Sequence, residues 1–400
     1  MTYDVQKIRS DFPALKSGLA FFDGPGGSQV PTHVGRAISE AILRPISNRN
    51  VTTESEKNAE EMVINFRQAV ADLINADPAG VVYGRSWTQL TYDFSRMLAK
   101  SWKKGDEVVV TTLDHDSNIR PWVQAAERAG AVVRWAKFDP ATGELSSSSI
   151  SELLNDRTRL VAVTGAGNTL GTRPNIKEIS SEVHKSPALL YVDGVHLTPH
   201  TPIDMRDMGA DFYGFSFYKF FGPHCAAIAA NPTLLSTLEN EKLLPATSAV
   251  PERFELGTLP YELMAGCTAA IDYVANLSEV DSDNRREKIL DAMAELEAYE
   301  HELFTCMENE ITSIPGITLY GHAKNRTPTI YFNLKGLAGV DVYKQLATLK
   351  INAPAGNFYA LEASRALGLD DSGAVRAGLA PYSTMDEVLK LIAGLRELTK

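Results

Sequence analysis

Short apolar segments alternate with helical patterns through the middle of the chain, between residues 81 and 230. Seven of these segments have the length and apolar content of buried strands, at residues 81–83, 107–112, 132–135, 160–164, 188–192, 212–217 and 226–230. Strands that are joined through helices pair in parallel, and the helices cover both faces of the sheet. The alternation therefore predicts an α/β fold built on a mostly parallel sheet of seven strands.

The chain is long enough for a second, smaller domain. Its 400 residues exceed the size at which single hydrophobic cores stop growing. A break in the helical pattern near Asp281 marks the predicted boundary, and helical patterns mix with strand-like runs such as 374–378 beyond it. We predict an N-terminal segment packing with the small domain (1–20), a large domain (21–280) and a smaller α+β C-terminal domain (281–400).

Charge and cysteine content narrow the classes of partner. The chain has 39 Lys and Arg against 50 Asp and Glu, a formal net charge of −11. This balance argues against nucleic acid and anionic membranes as partners. The N-terminus lacks the apolar core of a signal peptide, and no segment has the length of a membrane span. Three widely spaced cysteines form neither a disulfide framework nor a zinc pattern, so we expect a cytoplasmic protein without a metal.

Polar side chains follow four of the predicted strands, at His115, Asn168, Asp193 and Lys219. Parallel strands bring their carboxyl ends to one edge of the sheet, where ligands bind. Aromatic neighbours desolvate the Lys219 amine, which favours a nucleophile. Such a lysine and a strand-end carboxylate are what pyridoxal phosphate requires, since the lysine forms a Schiff base and the carboxylate keeps the ring nitrogen protonated. By themselves, however, a strand-end Asp is also a common helix cap, and most lysines are solvated.

A turn rich in glycine and hydroxyl groups follows the first strand of the large sheet. Gly84, Ser86 and Thr88 lie where a helical pattern begins, and a helix N-terminus with hydroxyl donors binds phosphate. Ser and Thr are also ordinary N-caps, so the turn alone is compatible with either role. A second glycine-rich turn begins at Asp23, and it is either a loop or a place where backbone approaches a ligand.

Taken in register, these motifs resemble the class V aminotransferase family, which are pyridoxal phosphate enzymes of fold type I. Within it, the chain looks closest to the cysteine desulfurase-like and selenocysteine lyase-like group. The resemblance runs from Phe21 to the C-terminal helix and includes the motif FELGT at 254–258. It implies a cofactor site made of Trp87, Thr88, His115, Asn168, Asp193, His196, Ser216, Tyr218, Lys219 and Thr258.

The resemblance also implies individual roles. The expected catalytic residues are Lys219, which would form an aldimine with the cofactor, Asp193, which would pair with the ring nitrogen, and His115, which would stack on the ring and move protons. Arg376 would bind the substrate carboxylate through its guanidinium fork, with Asn357 as a second substrate-binding residue.

The remaining cofactor contacts are implied in the same way. Asn168 and His196 would lie near the phenolic oxygen of the ring. The phosphate would be held by Trp87, Thr88 and Ser216. Thr258 would reach the phosphate of the neighbouring subunit, which implies a homodimer with shared sites.

Three departures from the family pattern bear on the reaction. Tyr218 stands where desulfurases commonly have His, although its hydroxyl can still donate to a phosphate, and His196 stands where Gln is frequent. The loop at 351–364, where desulfurases carry a nucleophilic cysteine, contains none. The three cysteines of the chain lie in an apolar strand or in helical patterns, where we expect them to be buried. We therefore predict that no persulfide forms on the protein.

Together these residues predict an enzyme that acts on an α-amino acid through Lys219. The preferred reaction is cleavage of a C–S bond, by a desulfurase-like enzyme or a β-lyase without a persulfide cysteine. An aminotransferase or an amino-acid epimerase uses the same core residues, so both stay open. A non-catalytic pyridoxal phosphate-binding protein is the alternative of another class, and a pure scaffold would need none of Lys219, Asp193, His115 and Arg376.

Overall fold

Thirteen strands and thirteen α-helices form within residues 3–399, the part of the chain that this computed structural model describes. The strands are β1 Ala20–Phe21, β2 Val81–Gly84, β3 Glu107–Thr111, β4 Val132–Ala136, β5 Thr158–Thr164, β6 Leu189–Asp193, β7 Phe212–Ser216, β8 Ala226–Ala230, β9 Ile317–Tyr320, β10 Thr329–Leu334, β11 Ile351–Asn352, β12 Ala355–Gly356 and β13 Ala374–Gly378. The helices are α1 Val5–Ser10, α2 Thr32–Leu43, α3 Glu54–Ile74, α4 Trp87–Ala99, α5 Arg120–Ala129, α6 Ser147–Ser151, α7 Ile176–Val183, α8 Pro232–Thr237, α9 Tyr261–Ala275, α10 Arg285–Thr312, α11 Gly339–Thr348, α12 Leu361–Ala366 and α13 Met385–Glu397. No helix within residues 3–399 is both long and apolar enough to cross a bilayer.

The large sheet has seven strands in the order β2-β8-β7-β6-β5-β3-β4. Strands β3 to β7 pair in parallel, and β8 runs antiparallel to both of its neighbours. The predicted α/β fold with a mostly parallel seven-stranded sheet is therefore confirmed. The predicted strand 212–217 ends one residue early, because Phe217 already belongs to the tight turn that carries Lys219.

Both faces of this sheet are covered, as the apolar runs predict. Along β3, Val109 packs into one hydrophobic cluster, whereas Val108 and Val110 pack into another on the opposite face. Strands buried on both faces read as continuous apolar runs, which is why the central strands stand out in the sequence. The edge strand β4 instead alternates exposed and partly buried residues.

A smaller antiparallel sheet has the order β12-β13-β10-β9 and its own hydrophobic core. Helix α10 joins this core to the large one, because its first half contributes Ile289 and Met293 to the large core and its second half contributes Phe304 and Met307 to the small one. A boundary near Asp281, at the start of this shared helix, stays a prediction.

The N-terminal segment contacts both units. Ile8 and Phe12 pack into the large core, whereas Arg9 forms two hydrogen bonds of 3.0 Å to Glu387 in the C-terminal part. Strand β1 pairs in parallel with β11. Packing of residues 1–20 with the small domain stays a prediction, as do the exact domain limits. Met1, Thr2 and Lys400, which these limits include, lie outside the described residues.

Candidate active site

The carboxyl ends of β3, β5, β6 and β7 meet at one edge of the large sheet, and they bring the four predicted polar residues together. His115, Asn168, Asp193 and Lys219 all line one cavity of about 70 Å³. This inner cavity shares several lining residues with a wider one of about 630 Å³, which also includes Arg376. Because neighbouring parallel strands end side by side, residues far apart in the sequence become neighbours here.

The inner cavity contains nine of the ten side chains predicted for the cofactor. They are Trp87, Thr88, His115, Asn168, Asp193, His196, Ser216, Tyr218 and Lys219. Thr258 is the exception, since it is exposed in a bend outside both cavities.

Lys219 is buried in the tight turn after β7, with only 7 % of its surface exposed. Phe217, Phe220 and Phe221 around it are almost fully buried. Burial, followed by the positive charge of Arg376, lowers the pKa of Lys219 to about 8. A substantial fraction of this amine is therefore neutral near pH 8, as a nucleophile requires.

Asp193 ends β6 with both of its carboxylate oxygens engaged. Oδ1 accepts a hydrogen bond of 2.9 Å from the Val195 backbone N–H, and Oδ2 accepts one of 2.7 Å from Nε1 of Trp87. Burial raises the pKa of Asp193 to about 6, against the opposing effects of these two donors and of Lys219. The Trp87 indole N–H is thus used by Asp193, and the phosphate contact that the family resemblance implies for Trp87 stays a prediction.

His115 is neutral in this site. Burial, assisted by the charges of Lys219 and Arg376, lowers the pKa of His115 to about 3. Its Nδ1 accepts a hydrogen bond of 3.1 Å from the Ser117 backbone N–H, so the ring proton is assigned to Nε2. An uncharged imidazole with an N–H on its far side can lie against a ring or donate a hydrogen bond.

Two buried polar atoms of the inner cavity have no hydrogen-bond partner among the described residues. They are Nδ1 of His196 and Oδ1 of Asn168. The other ends of these side chains are fixed, since Nε2 of His196 lies 2.9 Å from Oγ1 of Thr327 and Nδ2 of Asn168 donates to the Phe358 carbonyl. A buried polar atom without a partner is costly, so this pattern indicates a polar ligand.

The same cavity suits a phosphorylated ring. Trp87 and Thr88 begin α4, and the first N–H groups of a helix have no partner within it and attract anions. Ser216 and Tyr218 add hydroxyl groups. The donors therefore gather at the start of α4, and the carboxylate of Asp193 and the amine of Lys219 complete the set that pyridoxal phosphate needs.

Arg376 on β13 is buried beside the wider cavity. Its Nη2 donates to Oδ1 of Asp23 over 2.6 Å, and its Nη1 donates to the Asn168 carbonyl over 3.1 Å. The Phe358 ring lies 3.7 Å from the guanidinium carbon. Nε is buried without a partner among the described residues. Asp23 is a residue that sequence analysis placed only in a turn, although a lone carboxylate among glycines was a usable signal.

The loop around β12 does not bring Asn357 into either cavity. The Asn357 amide instead donates to the Asp371 carbonyl, and its Oδ1 accepts from the Tyr359 N–H. Phe358 and Tyr359 line the wider cavity in its place, both with the left-handed backbone, at φ of 52° and 60°. Residues other than glycine rarely adopt the left-handed conformation at two successive positions. No sequence pattern therefore predicts the conformation of this loop.

Helix α12 and the loop before it are tied to the segment that follows β3. Arg120 forms an ion pair with Glu362 on this helix, and Asp116 lies 2.8 Å from Nε of the same arginine. The Asp116 backbone N–H also donates to the Tyr359 carbonyl over 2.7 Å. Arg120 lines the wider cavity and was not identified from the sequence.

The cysteines lie away from both cavities. Cys225 and Cys267 are buried, as expected, with their sulfur atoms 3.1 Å apart, whereas Cys306 is half-buried. Within residues 3–399, no group of three or more His, Cys, Asp or Glu side chains is arranged to hold a metal ion.

Comparisons with known proteins identify the family. The model of the aminotransferase class-V family matches residues 20–391. An uncharacterised protein of Mycobacterium tuberculosis is 33% identical over the full length of both chains. A cysteine desulfurase of Shigella flexneri is 30% identical over 100% of this chain and 99% of its own. The apo structure of a cysteine desulfurase from Thermococcus onnurineus has a TM-score of 0.89 at 24% identity and covers 100% of this chain and 98% of that one.

The fold and the site define a pyridoxal phosphate-dependent enzyme, and the residues present fit that cofactor. The chain belongs to the class V aminotransferase family, with relatives among the cysteine desulfurases. The predicted family, cofactor and enzyme class are confirmed. A non-catalytic binding protein is thereby set aside.

Proposed function

We propose that this enzyme cleaves the C–S bond of a sulfur-containing α-amino acid, with Lys219 as the residue that binds the cofactor. The observation that carries the proposal is the pairing of a buried, easily deprotonated lysine with a buried carboxylate in one cavity, beside a substrate loop without cysteine. When bound, pyridoxal phosphate withdraws electrons from the α-carbon of an amino acid, so that a proton and then a β-substituent leave more readily.

Lys219 is the base in this proposal. Its Nζ would take the proton from the substrate α-carbon, and a pKa of about 8 suits that transfer near neutral pH. His115 would remain uncharged and present its Nε2–H to the site. Asp193 would receive the protonated ring nitrogen. The unpartnered Nδ1 of His196 and Oδ1 of Asn168 would face the polar substituents of the ring.

Arg376 would bind the substrate carboxylate. Its Nε is buried and without a partner among the described residues, whereas Asp23 and the Asn168 carbonyl already hold its two terminal nitrogens. The carboxylate of a substrate would therefore meet a guanidinium that is fixed in place, with the Nε–H and the second N–H of each terminal nitrogen left to donate. A preorganised charge of this kind orients a substrate at little entropic cost.

The positions of the cysteines bear on how sulfur would leave the enzyme. A protein persulfide requires a nucleophilic thiolate that reaches the substrate. None of the three cysteines lines either cavity of the site, and Cys225 and Cys267 are almost fully buried, whereas Cys306 is half-buried. Sulfur would therefore leave as sulfide or on a small thiol.

Product analysis tests the proposal. The purified holoenzyme is incubated with cysteine or cystine, and sulfide, pyruvate, ammonia and alanine are measured against Lys219→Ala. Elimination from cysteine consumes water and yields pyruvate, ammonia and sulfide together, whereas desulfuration yields alanine with sulfur on an added thiol. Either outcome supports C–S cleavage. Transfer of the amino group to a keto acid, or inversion at the α-carbon, without release of sulfur would overturn it.

The pKa of Lys219 predicts how cofactor attachment depends on pH. The neutral amine attacks the aldehyde, and its fraction rises with pH through the pKa of about 8. Rates of covalent attachment to the apoprotein should therefore increase with a midpoint near pH 8. They are measured by borohydride quenching and mass spectrometry of the peptide that contains Lys219. A midpoint near 10.5, the ordinary value for lysine, would show that the amine is not desolvated in solution.

We also propose a cytoplasmic homodimer in which Thr258 completes the phosphate site of the partner. All three cysteines are free thiols, which supports a reducing compartment. Thr258 is exposed, and the segment of the chain that leads to it carries three exposed leucines, since Leu243, Leu244 and Leu256 expose 72%, 97% and 67% of their surfaces. Large exposed apolar side chains on one segment favour an interaction site there.

Mixed dimers test the shared site. When subunits with Lys219→Ala are combined with subunits with Thr258→Ala, each hybrid has one doubly altered site and one intact site. Part of the wild-type activity should return on mixing, and none should return when Lys219→Ala is mixed with itself. A fully active monomer in sedimentation, or mixtures no better than the separate variants, would contradict the shared site.

A further inference from the structure

Trp87 places its indole N–H on the carboxylate of Asp193. Nε1 donates to Oδ2 over 2.7 Å, and the two residues expose only 4% and 3% of their surfaces. Trp87 is the first residue of α4 and Asp193 the last of β6. The contact therefore ties the start of the phosphate-binding helix to the end of the central strand.

The indole fits there because a glycine leaves room for it. Gly214 on β7 lies directly beside Asp193 in the parallel pairing with β6. A Cβ at this position would lie 2.1 Å from Cζ3 of Trp87. Glycine weakens the interior of a strand, and it commonly marks a site of close approach. Because residue 214 has no side chain, the indole can pass over β7 at this position and reach Asp193.

The carboxylate keeps capacity for a further donor. An ionised carboxylate offers about four lone-pair sites, and Asp193 uses one on each oxygen, for Val195 and for Trp87. Two donors on different oxygens fix the plane of the carboxylate. A third donor, such as a protonated ring nitrogen, meets an acceptor that is already oriented.

We infer that Trp87 is a positioning residue whose indole N–H, admitted by Gly214, holds the Asp193 carboxylate in the orientation that receives the ring nitrogen of the cofactor. The inference rests on the proposed role of Asp193. Trp87 acts through Asp193, and its side chain is not a phosphate ligand.

The charges around Asp193 predict a dependence on pH. The titratable groups that face it are Lys219, Asp114, Tyr191, Tyr213 and Tyr218. Burial raises the pKa of Asp193, and the hydrogen bond from Trp87 lowers it. Loss of the indole N–H therefore raises the pKa of Asp193 further, so the carboxylate is protonated at a higher pH.

The test is Trp87→Phe, which keeps an aromatic ring and removes the N–H. Dissociation constants for pyridoxal phosphate are measured on the apoprotein between about pH 6 and 9. A hydrogen bond to a charged group predicts binding weaker by roughly 10- to 100-fold. The loss should be greater at the acidic end. The matched control is Trp122→Phe, since Trp122 is also buried and donates its indole N–H over 3.2 Å to Asn118 instead.

A double-mutant cycle with Asp193→Asn separates positioning from packing. In the Asp193→Asn background, Trp87→Phe should weaken cofactor binding little further. In the Trp87→Phe single variant, the ¹⁵N resonance of the labelled ring nitrogen of the cofactor should move toward the position of the unprotonated form. Gly214→Ala displaces the indole without removing its N–H. It should change the cofactor affinity and the ¹⁵N resonance in the same directions as Trp87→Phe, and it replaces that variant in the test if Trp87→Phe does not fold.

Two results overturn the inference. One is a loss of affinity that is uniform across pH and undiminished in the Asp193→Asn background, because that is the signature of packing alone. The other is a Trp87→Phe variant that binds like the wild type while Asp193→Asn is defective. If Asp193→Asn itself binds the cofactor normally, the proposed role of Asp193 fails and the inference fails with it.

Discussion

Replacing Lys219 by alanine is expected to abolish covalent attachment of the cofactor and to reduce turnover by at least roughly 10²–10⁴-fold, the contribution of a positioned acid–base group. Lys219 is the buried lysine of the inner cavity, and in the proposed function its Nζ would supply both the attachment point and the base. Borohydride treatment of the wild type should fix pyridoxal phosphate on the peptide that contains residue 219. The variant should show no such adduct by mass spectrometry.

Lys177→Ala is a suitable control for this substitution. Lys177 is an exposed residue of α7, paired with Asp207 at the surface. Its removal should leave the adduct and the turnover unchanged. The fold of Lys219→Ala is checked by circular dichroism, and we expect no loss of stability, since burial of the Lys219 charge is itself unfavourable. A reducible adduct in the active site of a folded Lys219→Ala variant would remove Lys219 from its proposed role.

Asp193→Asn has the second large expected effect. Leaving one buried charge without its partner costs about 3–5 kcal/mol. This corresponds to roughly 10²–10⁴-fold weaker binding of the cofactor. The amide also meets two N–H donors, from Trp87 and Val195, with a single oxygen to accept them. Equilibrium titration of the apoprotein with pyridoxal phosphate and steady-state kinetics should both show the defect.

Asp211→Asn provides the matched substitution at the opposite edge of the same sheet. Oδ2 of Asp211 accepts a hydrogen bond from the Leu190 N–H and lies 3.0 Å from Nε2 of His184. Like Asp193, Asp211 is therefore a carboxylate held by a backbone N–H and a side chain at one end of a strand. It lies outside both cavities of the site. Cofactor affinity should be unchanged in this variant. Near-normal kinetics of Asp193→Asn would show that the ring nitrogen has another partner.

The sheet and most of the site follow from local sequence. Strands such as β8 are apolar on both faces, and the parallel topology then places the residues after each strand at one edge. His115, Asn168, Asp193 and Lys219 could be assigned to one site for that reason alone. Helix α2 was not identified from the sequence, although Val34, Ile38 and Ala41 lie at the spacing of one inward face. Ile42 and Leu43 at its end are exposed, by 60% and 80%, so the sequence does not show a single apolar stripe.

Contacts that depend on tertiary packing could not be predicted. Asp23 meets Arg376 across 353 positions of sequence, and Gly26 allows this because a Cβ there would lie 2.4 Å from the Asp23 carboxylate. The direction of the Trp87 side chain depends on Gly214, on a distant strand. Asn357 carries a polar side chain on the expected loop, yet local hydrogen bonds hold it away from the cavity.

The fate of sulfur in a cysteine-free enzyme tests the central claim most directly. Cys225, Cys267 and Cys306 are replaced by alanine together, and the folded variant loaded with pyridoxal phosphate is assayed with a sulfur-containing amino acid. Some loss of stability is expected, because Cys225 and Cys267 are in contact in the core. We predict that turnover per bound cofactor is retained and that sulfur leaves as sulfide or on a small thiol. An inactive variant that is folded and loaded, or a persulfide on Cys225 of the wild type by mass spectrometry, would contradict the account.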